Sequence, residues 1–221
     1  MTTPRVTAVM LTGWKAEREH LANWAVQDFK RQTYPNKQLL VITQGAFMPK
    51  DLPEDTKIMH VATRVPLGAL WNLALDNLPP GTEYVTIWDD DDYRAPAHMQ
   101  TLATHAAPDR IVAMTARLVT CLGNKCRRHC LDYLGMSGLV LYPANEMRHA
   151  PHRDRGHDSE FFLRWPQRLL LRNRPELHLQ FMHAAQHTSN ANRERLLQSG
   201  VEPTTAQHAL IDRILAERGL A

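Results

Sequence analysis

The chain has 221 residues, of which 43% are apolar and 22% charged, and its formal net charge is +3, from 26 basic and 23 acidic side chains. This length and composition are typical of one α/β domain with a sizeable core, and they leave little room for a second full domain. No apolar run approaches the roughly 20 residues of a membrane span, and the amino terminus lacks a signal-peptide pattern. We therefore expect a soluble, cytoplasmic, single-domain protein without a membrane span.

The first half of the chain alternates short apolar runs with helical patterns, which is typical of βαβ units and a largely parallel sheet. The predicted strands are residues 6–11, 38–43, 58–62 and 84–88. Apolar residues at helical spacing predict one helix that ends before Tyr34 and Pro35, and a second helix over residues 68–78. The first half therefore predicts an α/β fold with a mostly parallel central sheet.

The second half has a different pattern, with a helix around residues 96–105 followed mainly by strands. Residues 111–122 and 128–134 are typical of two strands joined by a tight turn at Gly123 and Asn124. The remaining predicted elements are strands at 139–142 and 177–182, a short helix from Asp158, and an amphipathic helix over 205–218. These elements predict a small β-hairpin beside the main sheet.

Four consecutive carboxylates, Asp89, Asp90, Asp91 and Asp92, directly follow the predicted strand 84–88. Like charges at this spacing repel and raise one another's pKa, so a positive group is expected nearby. Ligands of open α/β sheets bind beyond the carboxyl ends of strands, where Mg²⁺ or Mn²⁺ can join carboxylates to substrate phosphates. A helix N-cap or solvated turn needs only one or two aspartates, so the run predicts a metal site.

The acidic segment resembles the DxDD segment of the inverting family 2 glycosyltransferases, which have the GT-A fold. Further similar segments occur in the family's order: an opening strand at 6–12, a QTYP turn at 32–35, a glycine, asparagine and alanine helix at 68–74, a GEDxxF-like segment at 156–162, and an HxxN motif at 187–190. The resemblance spans roughly residues 5–192. It implies a GT-A domain in which residues 1–109 form the donor and metal half and residues 110–221 the acceptor half.

The resemblance implies a nucleotide-sugar donor, with a UDP-sugar favoured, held through Mn²⁺ or Mg²⁺. By this resemblance Asp89 faces the ribose, Asp91 binds the metal with support from Asp92, and Asp90 occupies the variable position. His187 is implied as the late metal or diphosphate ligand, and His183 is a rival for that role. The other donor-site candidates are Thr12, Gln44, Arg64, Gly68 and Asn72.

Asp158 matches the family's catalytic base, which takes the proton from the acceptor hydroxyl as it attacks the anomeric carbon with inversion. Three positions depart from the family pattern. Gln44 stands near the place of an acidic residue that reads the nucleotide base, Trp71 replaces a frequent arginine, and His157 replaces the usual glutamate before the base. Arg64 is a candidate for the missing positive charge near the diphosphate.

The two halves of the chain differ in charge: residues 1–109 carry 10 basic and 13 acidic side chains, and residues 110–221 carry 16 and 10, which gives −3 and +6. A positive acceptor half predicts an anionic acceptor. One candidate is a hydroxylated base in DNA, the acceptor of some bacteriophage enzymes similar to family 2, which would place the protein in the host cytoplasm. A surface polysaccharide or another saccharide is the alternative acceptor. The alternative classes are a metal-dependent nuclease and a binding module without turnover.

Overall fold

The computed structural model describes residues 3–13, 15–45, 47–121, 124–130, 140–144, 148–149, 151–152, 161–172, 174–183 and 200–220. The strands in this part of the chain are β1 (Val6–Thr12), β2 (Lys37–Thr43), β3 (Lys57–His60), β4 (Tyr84–Ile87), β5 (Asp92–Arg94), β6 (Arg110–Met114), β7 (Arg117–Cys121), β8 (Asn124–Cys130), β9 (Val140–Pro143), β10 (Gln167–Leu171) and β11 (His178–Met182). The helices are α1 (Glu19–Lys30), α2 (Leu67–Asp76), α3 (His98–Ala103) and α4 (Thr205–Glu217). Two short 3-10 turns, Ala16–Arg18 and Pro175–Leu177, precede α1 and β11.

The main sheet has seven strands in the order β10-β6-β9-β4-β1-β2-β3. Every strand in it runs parallel to the others except β9, which is antiparallel to both of its neighbours, β4 and β6. The predicted α/β fold with a mostly parallel sheet is confirmed. The chain adds β2 and β3 on one side of β1 and β4 on the other, so the strand order reverses at β1.

Helices cover both faces of the main sheet because successive strand residues point to opposite faces. On β2, Leu39 and Val41 pack in the cluster that includes α1 and α3. Leu40 and Ile42 pack in the opposite cluster, which includes α2 and the short helical stretch at 161–163. The four β2 residues are fully buried, which accounts for the unbroken apolar run of this strand.

A second sheet of four strands, in the order β5-β11-β7-β8, continues from the acidic segment. Its apolar face packs against α4, where Leu118, Leu179 and Phe181 meet Ile211 and Ile214. All five of these side chains are buried to 1% exposure or less. The carboxyl-terminal helix therefore completes a separate core beneath the second sheet.

The structure corrects the predicted strand over residues 111–122. The chain forms two strands here, β6 in the main sheet and β7 in the second sheet, separated by the buried Thr115 and Ala116. Both strands are apolar, so hydrophobic periodicity does not reveal the break between them. The predicted hairpin is confirmed in its antiparallel pairing of β7 with β8, but β8 already begins at Asn124.

Two strands have no counterpart in the sequence prediction, β5 and β10. β5 has only three residues and lies within the polar acidic segment, and β10 is an edge strand whose first residues are exposed. Short or edge strands carry little alternation of apolar and polar residues, so sequence patterns detect them poorly. Among the described helices none is both long and apolar enough to cross a membrane.

Candidate functional site

The acidic segment lies where β1, β2 and β4 end at the same edge of the main sheet, because these neighbouring strands are parallel. Thr12 closes β1, Gln44 follows β2, and Asp89 comes two residues after the end of β4. The strand order reverses at β1, so this edge is the position where open α/β sheets bind ligands. The fold thus brings together three of the predicted donor-site residues.

Gly13 allows the chain to leave β1 directly beside β2. Its φ angle is +83°, and a Cβ atom at this position would lie 2.0 Å from Thr43 Oγ1. The turn also places Gln44, whose backbone N–H donates to the carbonyl oxygen of Thr12 at 3.1 Å. The Gln44 side-chain Oε1 accepts a hydrogen bond from the Val65 backbone at 3.2 Å, so it fixes the loop that carries the exposed Arg64.

Asp90, which the family resemblance treats as variable, is held by protein groups on both carboxylate oxygens. Thr12 Oγ1 donates to Asp90 Oδ2 at 2.6 Å, and Arg18 from the 3-10 turn after β1 contacts Asp90 Oδ1. Burial raises the pKa of Asp90 to about 6, although the positive charge of Arg18 acts in the opposite direction. Asp90 therefore joins the acidic segment to the end of β1.

Asp91 has two neighbours, Arg18 and His183, on the same carboxylate oxygen. Its Oδ2 lies 2.9 Å from Arg18 Nη2 and 3.1 Å from His183 Nε2. Burial by itself would raise the pKa of Asp91, but the charge of Arg18 and the hydrogen bond with His183 outweigh it and lower the pKa to about 2. Asp91 is therefore an ionised carboxylate at neutral pH.

Asp92 joins the acidic segment to β11. Its Oδ2 lies 2.9 Å from His178 Nε2, and its Oδ1 accepts a hydrogen bond from the Phe181 backbone at 3.3 Å. Burial and the negative charge of Asp91 raise the pKa of Asp92 to about 6, against the positive charge of Arg94. Because β11 ends one residue before His183, these contacts also set the position of His183 over Asp91.

Asp89 is the most exposed of the four carboxylates, with 21% of its side chain accessible against 9% or less for the others. Its Oδ2 lies 3.1 Å from Nη2 of the buried Arg94. The Arg94 guanidinium also packs over the Trp88 ring, 5.5 Å from its centre. Asp89 is thus anchored by Arg94, while part of its side chain remains exposed.

The predicted donor-site residues of α2 lie on the other face of the sheet from α1. Gly68 is buried in the first turn of this helix. Both polar atoms of the Asn72 amide bind the backbone of His149, with distances of 3.0 Å to its oxygen and 2.8 Å to its nitrogen. Asn72 therefore joins α2 to residues 148–149, and its binding of the donor stays a prediction.

Two predicted site residues, Asp158 and His187, lie outside the described residues, as do most residues of the two segments that contain them. Of the two rival histidines, His183 is described, and it contacts Asp91.

Sequence reasoning did not identify three partners of the acidic segment, which are Arg18, Arg94 and His178. Together they place a cationic or hydrogen-bonding group on each of the four carboxylates. The position of Arg18 in the loop after β1 is the one available signal, because such loops lie at the carboxyl edge. The compensating charge that the sequence attributed to a metal is thus partly supplied by the protein.

The Asp91 and His183 side chains could supply two ligands of a divalent cation. Two neighbouring ligands of an octahedral ion, each about 2.1 Å from it, lie about 3 Å apart, which matches the 3.1 Å between Asp91 Oδ2 and His183 Nε2. Within the described residues no group of three histidine, cysteine, aspartate or glutamate side chains is placed to hold an ion. Such an ion would need further ligands, as Mg²⁺ does when it binds one or two carboxylates together with substrate phosphates.

No family model matches the chain, and no curated protein matches it in sequence. Solved structures do match it in fold. Residues 1–349 of Staphylococcus aureus TarS in complex with UDP-GlcNAc match with a TM-score of 0.60 and 12% identity, over 97% of this chain and 66% of that one. The mannosyltransferase PcManGT from Pyrobaculum calidifontis, in complex with GDP-Man and Mn²⁺, matches with a TM-score of 0.56 and 14% identity, over 90% and 63% of the two chains.

These similarities establish the GT-A fold that the sequence predicts for this chain. The chain spans just under two thirds of the length of each of these two structures. Both of them contain a sugar nucleotide, and one also contains Mn²⁺.

Proposed function

We propose that the protein is a metal-dependent, inverting glycosyltransferase that moves a sugar from a nucleotide-sugar donor to an acceptor hydroxyl. The observation that carries the proposal is the contact between Asp91 and His183 at the point where the strand order of a GT-A sheet reverses. An ionised carboxylate and an imidazole at this edge are suited to a cation that binds a diphosphate. The sugar nucleotides bound by two proteins of similar fold support the same donor class.

In this proposal Asp91 and His183 hold Mn²⁺ or Mg²⁺. Asp92 supports Asp91 in binding the metal, and His187 is a second candidate ligand. The bound cation would neutralise the negative charge that develops on the departing nucleoside diphosphate. Asp89 accepts a hydrogen bond from the donor's ribose, while Arg94 keeps its carboxylate in place. Thr12 and Gln44, at the ends of β1 and β2, lie at the same edge for contact with the nucleotide.

Asp158 is the proposed general base. Its carboxylate takes the proton from the acceptor hydroxyl as that oxygen attacks the anomeric carbon from the face opposite the nucleotide, so the configuration inverts. Asp158→Asn should lower turnover by about 10²- to 10⁴-fold and leave donor affinity almost unchanged, because a general base acts in the chemical step. Single-turnover rates and donor titrations measure the two effects, and wild-type turnover in the variant would point to another base.

The metal site is tested by Asp91→Asn together with removal of metal by EDTA. Both changes should abolish release of nucleoside diphosphate from the donor, because Asp91→Asn removes the charge that binds the cation and EDTA removes the cation itself. Asp55→Asn is the matched control, since this aspartate is exposed and distant in sequence from the acidic segment. Full activity of the metal-free protein would contradict the metal assignment.

For the acceptor, we propose a hydroxylated base in DNA ahead of a surface polysaccharide. The support is the charge of +6 on residues 110–221, since arginines that neutralise phosphates give affinity independent of base sequence. A base within a duplex would have to leave the stack to reach the catalytic carboxylate.

The acceptor proposal predicts that affinity for hydroxymethylated DNA falls steeply as salt rises from about 50 to 200 mM. Arg153 and Arg155 belong to the positive half of the chain and precede the proposed base, Asp158, by five and three residues. Replacing both by alanine should make the slope of affinity against salt less steep, because fewer counterions are released. Fluorescence anisotropy with labelled duplexes measures this slope. Sugar transfer to a small saccharide, combined with no DNA affinity at low salt, would instead support the polysaccharide acceptor.

A further inference from the structure

Arg18 is a buried arginine whose guanidinium lies between two carboxylates of the candidate site. One nitrogen, Nη2, contacts Asp90 Oδ1 and lies 2.9 Å from Asp91 Oδ2. Only 10% of the Arg18 side chain is exposed, and its buried Nε has no hydrogen-bond partner in the described part of the chain. An arginine held in this way is costly to desolvate, so the two carboxylates have to compensate for it.

The position of Arg18 conflicts with simultaneous binding of a cation at Asp91. The Oδ2 atom that faces Arg18 is the same atom that faces His183, and a cation between Asp91 and His183 would therefore lie next to the guanidinium. Two positive charges a few ångströms apart in a buried site repel strongly. When a cation binds Asp91, the guanidinium of Arg18 therefore has to move away from Asp91.

The donor supplies a suitable new partner for the displaced guanidinium. A diphosphate arrives at the same edge with two negative groups, and arginine binds phosphate oxygens in a bidentate geometry that lysine cannot reproduce. The Nε atom without a partner leaves Arg18 with a further N–H for such a contact. Arg18 also lies on a short turn between β1 and α1 rather than within either element.

We propose that Arg18 is the counter-ion of Asp90 and Asp91 in the ligand-free protein, and that it moves from Asp91 to the donor's diphosphate when a divalent cation binds Asp91. This inference rests on the proposed metal site. It implies that the cation alone binds weakly, because it has to displace Arg18. It also implies that cation and diphosphate bind cooperatively, because each favours the same position of the arginine.

The test compares Mn²⁺ binding without nucleotide in the wild type, Arg18→Met and Arg213→Met, with free Mn²⁺ measured by electron paramagnetic resonance. Arg213 is the matched control because it lies on α4 with 67% of its side chain exposed. Arg18→Met should bind Mn²⁺ about tenfold more tightly than the wild type, and Arg213→Met should match the wild type. At saturating Mn²⁺, UDP and GDP should stabilise Arg18→Met less than the wild type in thermal unfolding.

This opposite change, tighter for the cation and weaker for the diphosphate, is not expected from a purely structural arginine. Unchanged or weaker Mn²⁺ affinity in Arg18→Met, with Mn²⁺ binding lost in Asp91→Asn, would overturn the Arg18 inference and leave the metal site standing. Mn²⁺ binding retained in Asp91→Asn would overturn the metal site itself. If Arg18→Met does not fold, Arg18→Lys decides: its shorter ammonium should give Mn²⁺ affinity above that of the wild type, and wild-type affinity would contradict the inference.

Discussion

At the scale of single residues, two glycines at the carboxyl edge show how the backbone makes room for the site. Gly13 and Gly45 both have positive φ angles, of +83° and +86°. Their surroundings differ, because a Cβ atom at Gly13 would meet Thr43 Oγ1 at 2.0 Å, whereas one at Gly45 would have no atom within 4 Å. The two positions therefore separate the cost of backbone strain from the cost of a steric clash.

Gly13→Ala should lower the free energy of unfolding by clearly more than Gly45→Ala does. At Gly45 the expected loss is about 1–2 kcal/mol, which is the usual cost of a left-handed conformation for a residue with a Cβ atom. At Gly13 the same strain is joined by displacement of Thr43, whose hydroxyl donates to the Phe47 carbonyl at 2.8 Å. Urea unfolding of the two variants measures the difference, and equal losses would contradict the close packing of β1 against β2.

The sequence predicts the carboxylates of the site but not their partners. Four adjacent aspartates after an apolar strand can be identified directly from the sequence. By contrast, Arg18 lies 72 residues before Asp90, and His178 lies 86 residues after Asp92. Only the folded sheet brings these side chains together. Apart from the position of Arg18 in the loop after β1, nothing in the local sequence distinguishes Arg18 or His178 from other basic residues.

At the scale of elements, the buried Asp28 of α1 connects three parts of the fold. Its Oδ2 accepts a hydrogen bond from the Arg94 backbone at 3.0 Å and lies 2.6 Å from Arg218 Nη2, just past the end of α4. The Arg218 guanidinium is also 5.0 Å from the centre of the Phe181 ring on β11. Burial raises the pKa of Asp28, while the positive charges of Arg218 and, to a smaller extent, Arg31 oppose the rise.

Arg218→Ala should destabilise the protein by about 3 kcal/mol, because it removes one of the two arginines that pair with the buried Asp28 carboxylate and leaves the more exposed Arg31 as its remaining cationic partner. The matched control is Arg213→Ala on α4, because the exposed pair of Arg213 with Glu217 at 3.9 Å should contribute less than about 0.5 kcal/mol. Chemical unfolding of both variants provides the comparison. Similar stabilities for the two would show that α4 is held by its apolar face alone.

The QTYP turn that the sequence analysis identified has a structural explanation at this scale. The Gln32 side chain donates to the Ala95 carbonyl at 2.8 Å and accepts from the Met99 backbone at 2.9 Å. The Thr33 backbone donates to Pro96 at 2.8 Å. These contacts join the end of α1 to the segment after the acidic residues. The sequence shows the residues of the turn but not the residues that bind them, because those lie in a distant segment.

In the whole molecule, the parallel strands of the first half, β1 to β4, could be predicted because each is a distinct apolar run in the sequence. The division of the second half between two sheets could not. The strands β6, β9 and β10 complete the main sheet, whereas β7, β8 and β11 form the second sheet with β5. Sequence periodicity reports how deeply a strand is buried but not which sheet it joins.

Binding of a donor through a cation can be tested by the thermal stability of the protein with a panel of sugar nucleotides, including UDP-GlcNAc and GDP-Man, in Mn²⁺ and in EDTA. A donor at about 100 times its dissociation constant should add about 2.7 kcal/mol to the free energy of unfolding. We predict that at least one sugar nucleotide does so with Mn²⁺, and that EDTA or Asp91→Asn removes the effect. If no sugar nucleotide stabilises the protein, or if the stabilisation is equal in EDTA, the carboxyl edge does not bind a donor through a cation and the account is contradicted.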